Sequence, residues 1–398
     1  MSWTFSYKRK QWTNPRIKAM LDAVPQGKMI LLDYYCENKE VWKFTDGFYG
    51  QPYIWCYLGN FGGNTYLKGN IKTVNNSVTE LLNGCQKGKV QGVGLTLEAL
   101  DIMNPMMYEF VMEKAWDCSY TDVNDWICKY AQRRCGRPDG NVEKAWQILL
   151  QKVYSQASSR WHGIESLRPT IKLSEKKRNK SNSDYDNLVL LKVWGLMLKA
   201  ENKSTDAYLT DLVNIACETL GNYAFGIETR MMSDYKAQDI GSFKKSSSEF
   251  LGVIAEIDRL AGSRRERLLG KWLNDARSFG VNTFEQKYYE QNARNILTTW
   301  GDKNQMLNDY AKRDWAGLIK GFYLKRWQMF VKALEKSLKN KTAFDETKFR
   351  DKITEFEWKW TLSNERYSDK PIGDSWAIAK ELYDKYADKI SCTTQEQN

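Results

Sequence analysis

The chain is short of the residues on which much hydrolytic and redox chemistry depends. It has one histidine, His162, among 398 residues. A Ser-His-Asp or Cys-His arrangement would have only that residue to use, and a multi-histidine metal site is excluded. His162 itself reads as a loop or capping residue. Eight cysteines stand at 36, 56, 85, 118, 128, 135, 217 and 392, with no CxxC pair and no metal-ligand spacing. Cys36 and Cys56 lie in apolar, strand-like runs and are expected as buried thiols. No apolar stretch is long enough to span a membrane, and the N-terminus, MSWTFSYKRKQW, lacks the apolar core of a signal peptide. There is no short-period repeat. The net charge of +11 is spread out. Its densest run, Lys176–Lys180, sits among Ser, Asn and Asp, as a solvated loop does. With no recognition motif beside the charge, nucleic acid is not expected as a partner.

Aromatic residues are abundant, with 16 Trp and 22 Tyr. Most are expected in the core. The exception to that reading is Gln51–Asn64, QPYIWCYLGNFGGN. Here an apolar strand-type run, Tyr53–Leu58, breaks abruptly into glycines and amides. Such a break brings backbone, flat ring faces and hydrogen-bonding groups to one small place. That mixture suits a sugar, which has apolar faces and a hydroxyl rim. A second strand-like run, Lys89–Leu97, ends in Glu98, with Tyr108 shortly after. A carboxylate at one strand end and a Trp-Asn-Gly wall at another read as a glycosidase pocket.

The first 115 residues read as alternating helices and strands. Asn14–Ala23 has helical spacing, with Asn14 as N-cap and Pro15 at the first helical position. Met29–Tyr35, Tyr53–Leu58 and Val90–Leu97 are continuous apolar runs, as in a parallel sheet covered on both faces. The segment around Trp3 is expected as a further strand end, giving three or four β/α units. Beyond about Asp117 the periodicity is helical. Leu209, Leu212, Val213, Ala216 and Leu220 share one face, as do Leu251, Ile254, Ile257 and Ala261. Ser246 and Glu249 fit a capping box before the latter. The sequence thus predicts an α+β multidomain chain, with β/α units over 1–115 and an all-α domain over 116–398 whose last ten residues are frayed.

The motifs LLDYYCE, IWCYLGNFGGN, LEALDIMNPMMY, YEQNARNILTTWG and DYAKRDWAGLIKGFYLKRW resemble the alpha-N-acetylglucosaminidases, glycoside hydrolase family 89. The resemblance runs from Trp3 to about Tyr386. It implies a TIM-like (β/α) barrel, of which this chain carries the later strands, followed by the family's helical domain. Three or four β/α units cannot close a barrel, which needs eight strands, and an open half exposes unpaired edges. A missing N-terminal half of the same protein is therefore expected, with Met1 internal to a longer chain. A truncated gene, a split gene or an engineered excision would each give such a sequence. The resemblance also implies an extracellular, periplasmic or lysosomal location for the full-length protein, and no metal or organic cofactor. The N-x-S/T matches at Asn75, Asn179, Asn202 and Asn340 carry meaning only in such a compartment.

Glycoside hydrolysis normally uses two carboxylates, about 5–5.5 Å apart in retaining enzymes. In an α-linked N-acetylglucosaminide the 2-acetamido group shares a face with the leaving group and cannot assist from behind. An enzyme carboxylate has to attack. Glu98, where a strand meets its loop, is the candidate nucleophile, and the resemblance gives the matching glutamate that role. Two departures are evident: Ala99 stands where the family pattern has glycine, and the step to Asn104-Pro105 is about one residue longer. From the residues alone Glu37 is the next carboxylate, followed by Asp33 and Asp101. The resemblance instead puts the acid/base glutamate upstream of this chain and leaves Glu37 a supporting role. Trp3, Trp55 and Tyr108 are the candidate sugar-contacting aromatics, Trp3 and Tyr108 by resemblance. Asn60 and Asn64 are candidates for hydroxyl contacts or for capping the Gly62-Gly63 turn. Arg133-Arg134 is expected to anchor the helical domain. The predicted function is a fragment of a retaining exo-glycosidase removing terminal α-linked N-acetylglucosamine. The alternatives are an inactive glycan-binding or structural remnant, and a helical interaction scaffold.

Overall fold

The computed structural model describes residues 3–84, 89–99, 103–117, 119–156, 163–171, 184–303 and 307–395, without the side chains of Trp3, Gln156 and 393–395. His162, Asp101, Leu100 and the Lys176–Lys180 run lie outside the described residues. Two compact units emerge. One comprises Met1–Gly63, Lys68–Tyr130 and Leu149–Ser158; the other comprises Asn64–Leu67, Ala131–Ile148 and Ser159–Asn398. The chain passes between them several times.

The first unit is built on a parallel sheet. Helices α1 (Trp3–Tyr7) and α2 (Asn14–Asp22) precede β1 (Leu31–Tyr34). The short helix α3 (Val41–Phe44) leads to β2 (Pro52–Tyr57), and a two-residue strand β3 (Gly69–Asn70) to helix α4 (Ile71–Gly84). Then come β4 (Lys89–Leu95) and helix α5 (Pro105–Trp116). The order is β1-β2-β4, all parallel. Leu31 pairs with Tyr53, Tyr34 with Cys56 and Tyr57 with Leu95, with a register shift at Tyr53/Ile54. Every residue of β2 but Ile54 is buried, the expected signature of a strand covered on both faces. Cys36 and Cys56 are both 1% exposed, as buried thiols should be.

Two local expectations are corrected here. The stretch after Trp3 is helical, closed by Lys8 N–H donating to Thr4 O (2.9 Å). Five residues rich in aromatics before a basic run do not decide between strand and helix. Asn14 is the first residue of α2 and not its cap. Thr13 holds the cap position, while the Asn14 amide serves Arg9 and Phe44 O.

The second unit is helical. Helices α6 (Val123–Cys135) and α7 (Gly140–Lys152) each have residues in both units, and the two-residue strand β5 (Ser155–Gln156) that follows lies in the first, antiparallel to β3. The later helices are α8 (Asn187–Met197), α9 (Asp206–Lys236), α10 (Ile240–Ala261), α11 (Leu269–Ser278), α12 (Thr283–Leu297), α13 (Leu324–Asn340), α14 (Glu346–Thr361) and α15 (Ser375–Gln395). The 31-residue α9 packs against α8, α10 and α15. Asp239, not Ser246, caps α10, accepting from the Gly241 and Ser242 amides. Ser246 lies inside the helix with its hydroxyl on Asp234. The S-x-x-E spacing recurs inside helices, so spacing alone misplaces a start. Arg134 does anchor this unit: it meets Asp211 bidentately (2.8 and 2.6 Å) and the Ala207 carbonyl (3.1 Å). Deeper, the Arg326 guanidinium is fully buried and donates to Asp309 (2.8 Å), Glu357 (3.0 Å) and Ser166 O (2.8 Å). No helix among the described residues is long and apolar enough to cross a membrane.

Candidate active site

Because β1, β2 and β4 run parallel, their carboxyl ends fall on one edge of the sheet. That edge gathers Tyr34–Glu37, Leu58–Gly63 and Thr96–Ala99. Open α/β sheets and barrels both assemble their sites on such an edge.

The Leu58–Gly63 turn is its central feature. Gly59, Gly62 and Gly63 take φ of +76°, +61° and +78°, a left-handed conformation that L side chains resist. Gly59 is constrained twice. A Cβ there would sit 2.7 Å from the Tyr108 hydroxyl and 2.9 Å from the Tyr57 ring. The turn is tight, with Asn60 N–H donating to Leu58 O (2.9 Å). Phe61 packs edge-on against Tyr35 (centroids 5.1 Å apart). Tyr35 itself stands at φ +73°, a costly conformation for an aromatic residue and one that clusters at functional sites.

Glu98 is exposed, three residues past β4. Its Oε2 accepts from Gly62 N–H (2.7 Å), and Tyr34 Oη donates to its Oε1 at 3.4 Å. Both oxygens are thus oriented while the carboxylate stays open to solvent. The Tyr34 phenol is pushed well above its ordinary range, first by burial and then by the Glu98 charge, and stays a donor. Glu37 is held just as firmly nearby. Its Oε1 accepts from Gly59 N–H (2.7 Å), and both its oxygens accept from Leu58 N–H (3.2 and 3.1 Å). Burial raises its pKa to about 7, against the lowering pull of those amides.

The remaining sequence candidates divide. Tyr108 lies edge-on to Tyr57 (5.8 Å) and reaches the Gly59 backbone, so it walls the turn. Asn60 is fully buried. Its Nδ2 donates to Ala99 O (3.1 Å), tying the turn to the residue after Glu98, and its Oδ1 has no hydrogen-bond partner among the described residues. The buried Asn64 likewise keeps an unpartnered Oδ1. Trp55 is 0% exposed with its indole N–H on Glu40 (3.0 Å), which corrects its reading as a sugar platform. An enclosed ring has no face to offer. A strand buried on both sides gives no alternation from which to tell a core residue from a facing one. Trp3 opens α1, and its side chain lies outside the described residues. Asp33 is fully buried and caps α3 through the Val41 and Trp42 amides (3.0 Å each to Oδ2). Tyr34 escaped sequence reasoning; the signal for it was its place as the last residue of a strand.

Three comparisons bear on this geometry. The family model described as the alpha-N-acetylglucosaminidase (NAGLU) tim-barrel domain matches residues 1–118, and that of the NAGLU C-terminal domain matches residues 126–385. Human alpha-N-acetylglucosaminidase is 30% identical over 396 residues, spanning 96% of this chain and 52% of the human one. A family 89 glycoside hydrolase from Clostridium perfringens in complex with PUGNAc superposes with a TM-score of 0.85 at 25% identity. The match covers 94% of this chain and 43% of that one. The same values hold for its complex with 2-acetamido-1,2-dideoxynojirmycin. The chain spans about half the length of the curated relative it matches.

Proposed function

Given that this chain belongs to the alpha-N-acetylglucosaminidase family, we propose that it carries the nucleophile side of a retaining glycosidase acting on terminal α-linked N-acetylglucosamine. Glu98 is the nucleophile. The single observation that carries this reading is its carboxylate at the sheet's carboxyl edge, exposed yet held by Gly62 N–H at 2.7 Å. A carboxylate fixed in this way is pre-oriented for attack, and orientation supplies a large part of enzymatic rate.

In the proposed reaction an Oε atom of Glu98 attacks the anomeric carbon from the face opposite the leaving oxygen. The cis 2-acetamido group cannot reach that face. The C–O bond to the aglycone breaks as the new ester bond forms, and water later cleaves the ester with net retention. Tyr34 and Gly62 hold the carboxylate, and Tyr108 offers an aromatic wall for the sugar. The acid/base glutamate is assigned to no residue of this chain, since the resemblance sets it upstream of the matched motifs. Lack of the general acid alone costs about 10²–10⁴-fold. The Clostridium relative's complex with an acetamido iminosugar supports the choice of sugar. We place the full-length protein outside the cytoplasm or in a lysosome, by resemblance.

The test uses this chain and a form extended with its upstream coding sequence, each assayed on an aryl α-N-acetylglucosaminide. Glu98→Ala abolishes turnover, and added azide restores aglycone release while forming the β-glycosyl azide. Undiminished activity of Glu98→Ala sinks the assignment. Glycan binding without turnover in the extended form favours the non-catalytic remnant.

A further inference from the structure

One ionisable group at the sheet edge has no part in the reaction above, although it is bound as tightly as Glu98. Glu37 follows β1 by three residues, and its carboxylate gathers the Leu58 and Gly59 amides. Gly62, at the other end of the same turn, gives its amide to Glu98. Between the two grips the backbone has little freedom. Asn60 N–H closes on Leu58 O, the Asn60 side chain reaches Ala99 O, and Phe61 rests on Tyr35. A displacement at Leu58–Gly59 therefore passes to Gly62 within three residues.

We propose that Glu37 is a positioning residue for Glu98, clamping the start of the turn whose far end holds the Glu98 carboxylate. This rests on the reading of Glu98 as nucleophile. The clamp is sensitive to protonation. Hydrogen bonds from N–H groups to an ionised carboxylate are roughly twice as strong as those to a neutral acceptor, so loss of the charge loosens the turn. Glu37 titrates near 7 because burial outweighs its amide donors. The other ionisable groups facing it are Tyr7 from α1, Tyr34, Tyr35 and Cys36 from β1 and its exit, Cys56 from β2, and Lys68. Lys68 lowers its pKa, whereas burial raises those of the tyrosines and cysteines, leaving Glu37 the group that changes charge near neutrality. The folded state keeps this proton up to about 7, above the ordinary value of 4.5. Its contribution is present below the unfolded value and lost as pH rises through 7.

The experiment reads the two amides directly, in this chain labelled with ¹⁵N-glycine, in a Glu98→Gln background that removes the Glu98 charge. Gly59 and Gly62 resonances are expected to shift together with a midpoint near pH 7, and both shifts are expected to vanish on adding Glu37→Gln. A Gly62 resonance that stays still while Gly59 titrates overturns the clamp. Should Glu37→Gln fail to fold, the common midpoint in the parent decides the matter. In the form that hydrolyses the aryl substrate, with Glu98 intact, Glu37→Gln lowers kcat by about 10–10²-fold and leaves KM nearly unchanged, the mark of misplacement rather than lost binding. It also removes a step near pH 7 from the rate profile, and Glu37→Asp recovers part of the rate. Coupled amide shifts with no hydrolysis by any form defeat the nucleophile reading and leave the clamp standing. A silent Gly62 defeats the clamp whatever the hydrolysis shows.

Discussion

The sheet edge and the buried Arg326 network handle their carboxylates in opposite ways. In the sheet unit, acids are satisfied mainly by the backbone: Asp33 by the Val41 and Trp42 amides, Glu37 by Leu58 and Gly59, and Glu98 by Gly62. Glu40, with two indole N–H donors and Lys43, is the mixed case. In the helical unit several buried acids meet guanidinium groups: Asp211 with Arg134, Glu290 with Arg294 and Arg277, and Asp309 and Glu357 with Arg326, while Asp139 is held by the Asn141, Val142 and Glu201 amides. A neutralised pair has no charge left to spend on chemistry, and its role is to hold helices in register. A carboxylate held by amides is aimed by dipoles that do not titrate. Glu98, exposed and amide-held, is placed for chemistry, and the acids around Arg326 belong to the frame.

Two substitutions should separate these roles most sharply. In the catalytically active form, Glu98→Gln is expected to lower kcat/KM by on the order of 10⁴-fold or more, as loss of a nucleophile does, with the urea midpoint unmoved. Arg326→Met should do the reverse. It leaves Asp309 and Glu357 buried without their shared cation, a loss of about 3–5 kcal/mol, read as a fall in the urea midpoint. Activity per folded molecule should hold. If Arg326→Met instead reduced kcat in the folded fraction, the division between frame and chemistry would be broken.

The next effect tests why the turn is glycine-rich. Gly59→Ala puts a side chain on a φ of +76° and drives Cβ to 2.7 Å from the Tyr108 hydroxyl. The conformational penalty alone is about 1–2 kcal/mol, and displacement of Tyr108 adds to it. Unfolding in urea measures the sum. An alanine accepted there without loss would mean that the turn is looser than its glycines imply.

What the sequence revealed follows the same division. β1, β2 and β4 were legible as continuous apolar runs, and Glu98 as the acid where the third run ends. Its neighbours were less so. Glu37 reaches Leu58 because Tyr34 pairs with Cys56, a register that no local pattern states. Trp55 was misread because both faces of its strand are buried. In the helical unit the helices were visible in their periodicity, but the Arg326 network was not. Its carbonyl acceptor, Ser166, lies 160 residues away, and an arginine bound for the interior looks in sequence like one on the surface. The Ser246 capping box failed because a spacing that signals a helix start also occurs within a helix.

The smallest effect carries the contrast to a change of sign. Gly252 lies inside α10, exposed, and a Cβ built on it meets nothing within 4 Å. No turn, close approach or left-handed φ requires glycine there. A glycine in a helix interior costs roughly 0.5–1 kcal/mol relative to alanine through the entropy of the unfolded chain. Gly252→Ala should therefore raise stability by about that amount, seen as a higher urea midpoint at unchanged slope. The same exchange lowers it at Gly59. If both changes destabilised the protein, the α10 site would be serving some contact made outside this chain, and the helical unit would be more than a frame.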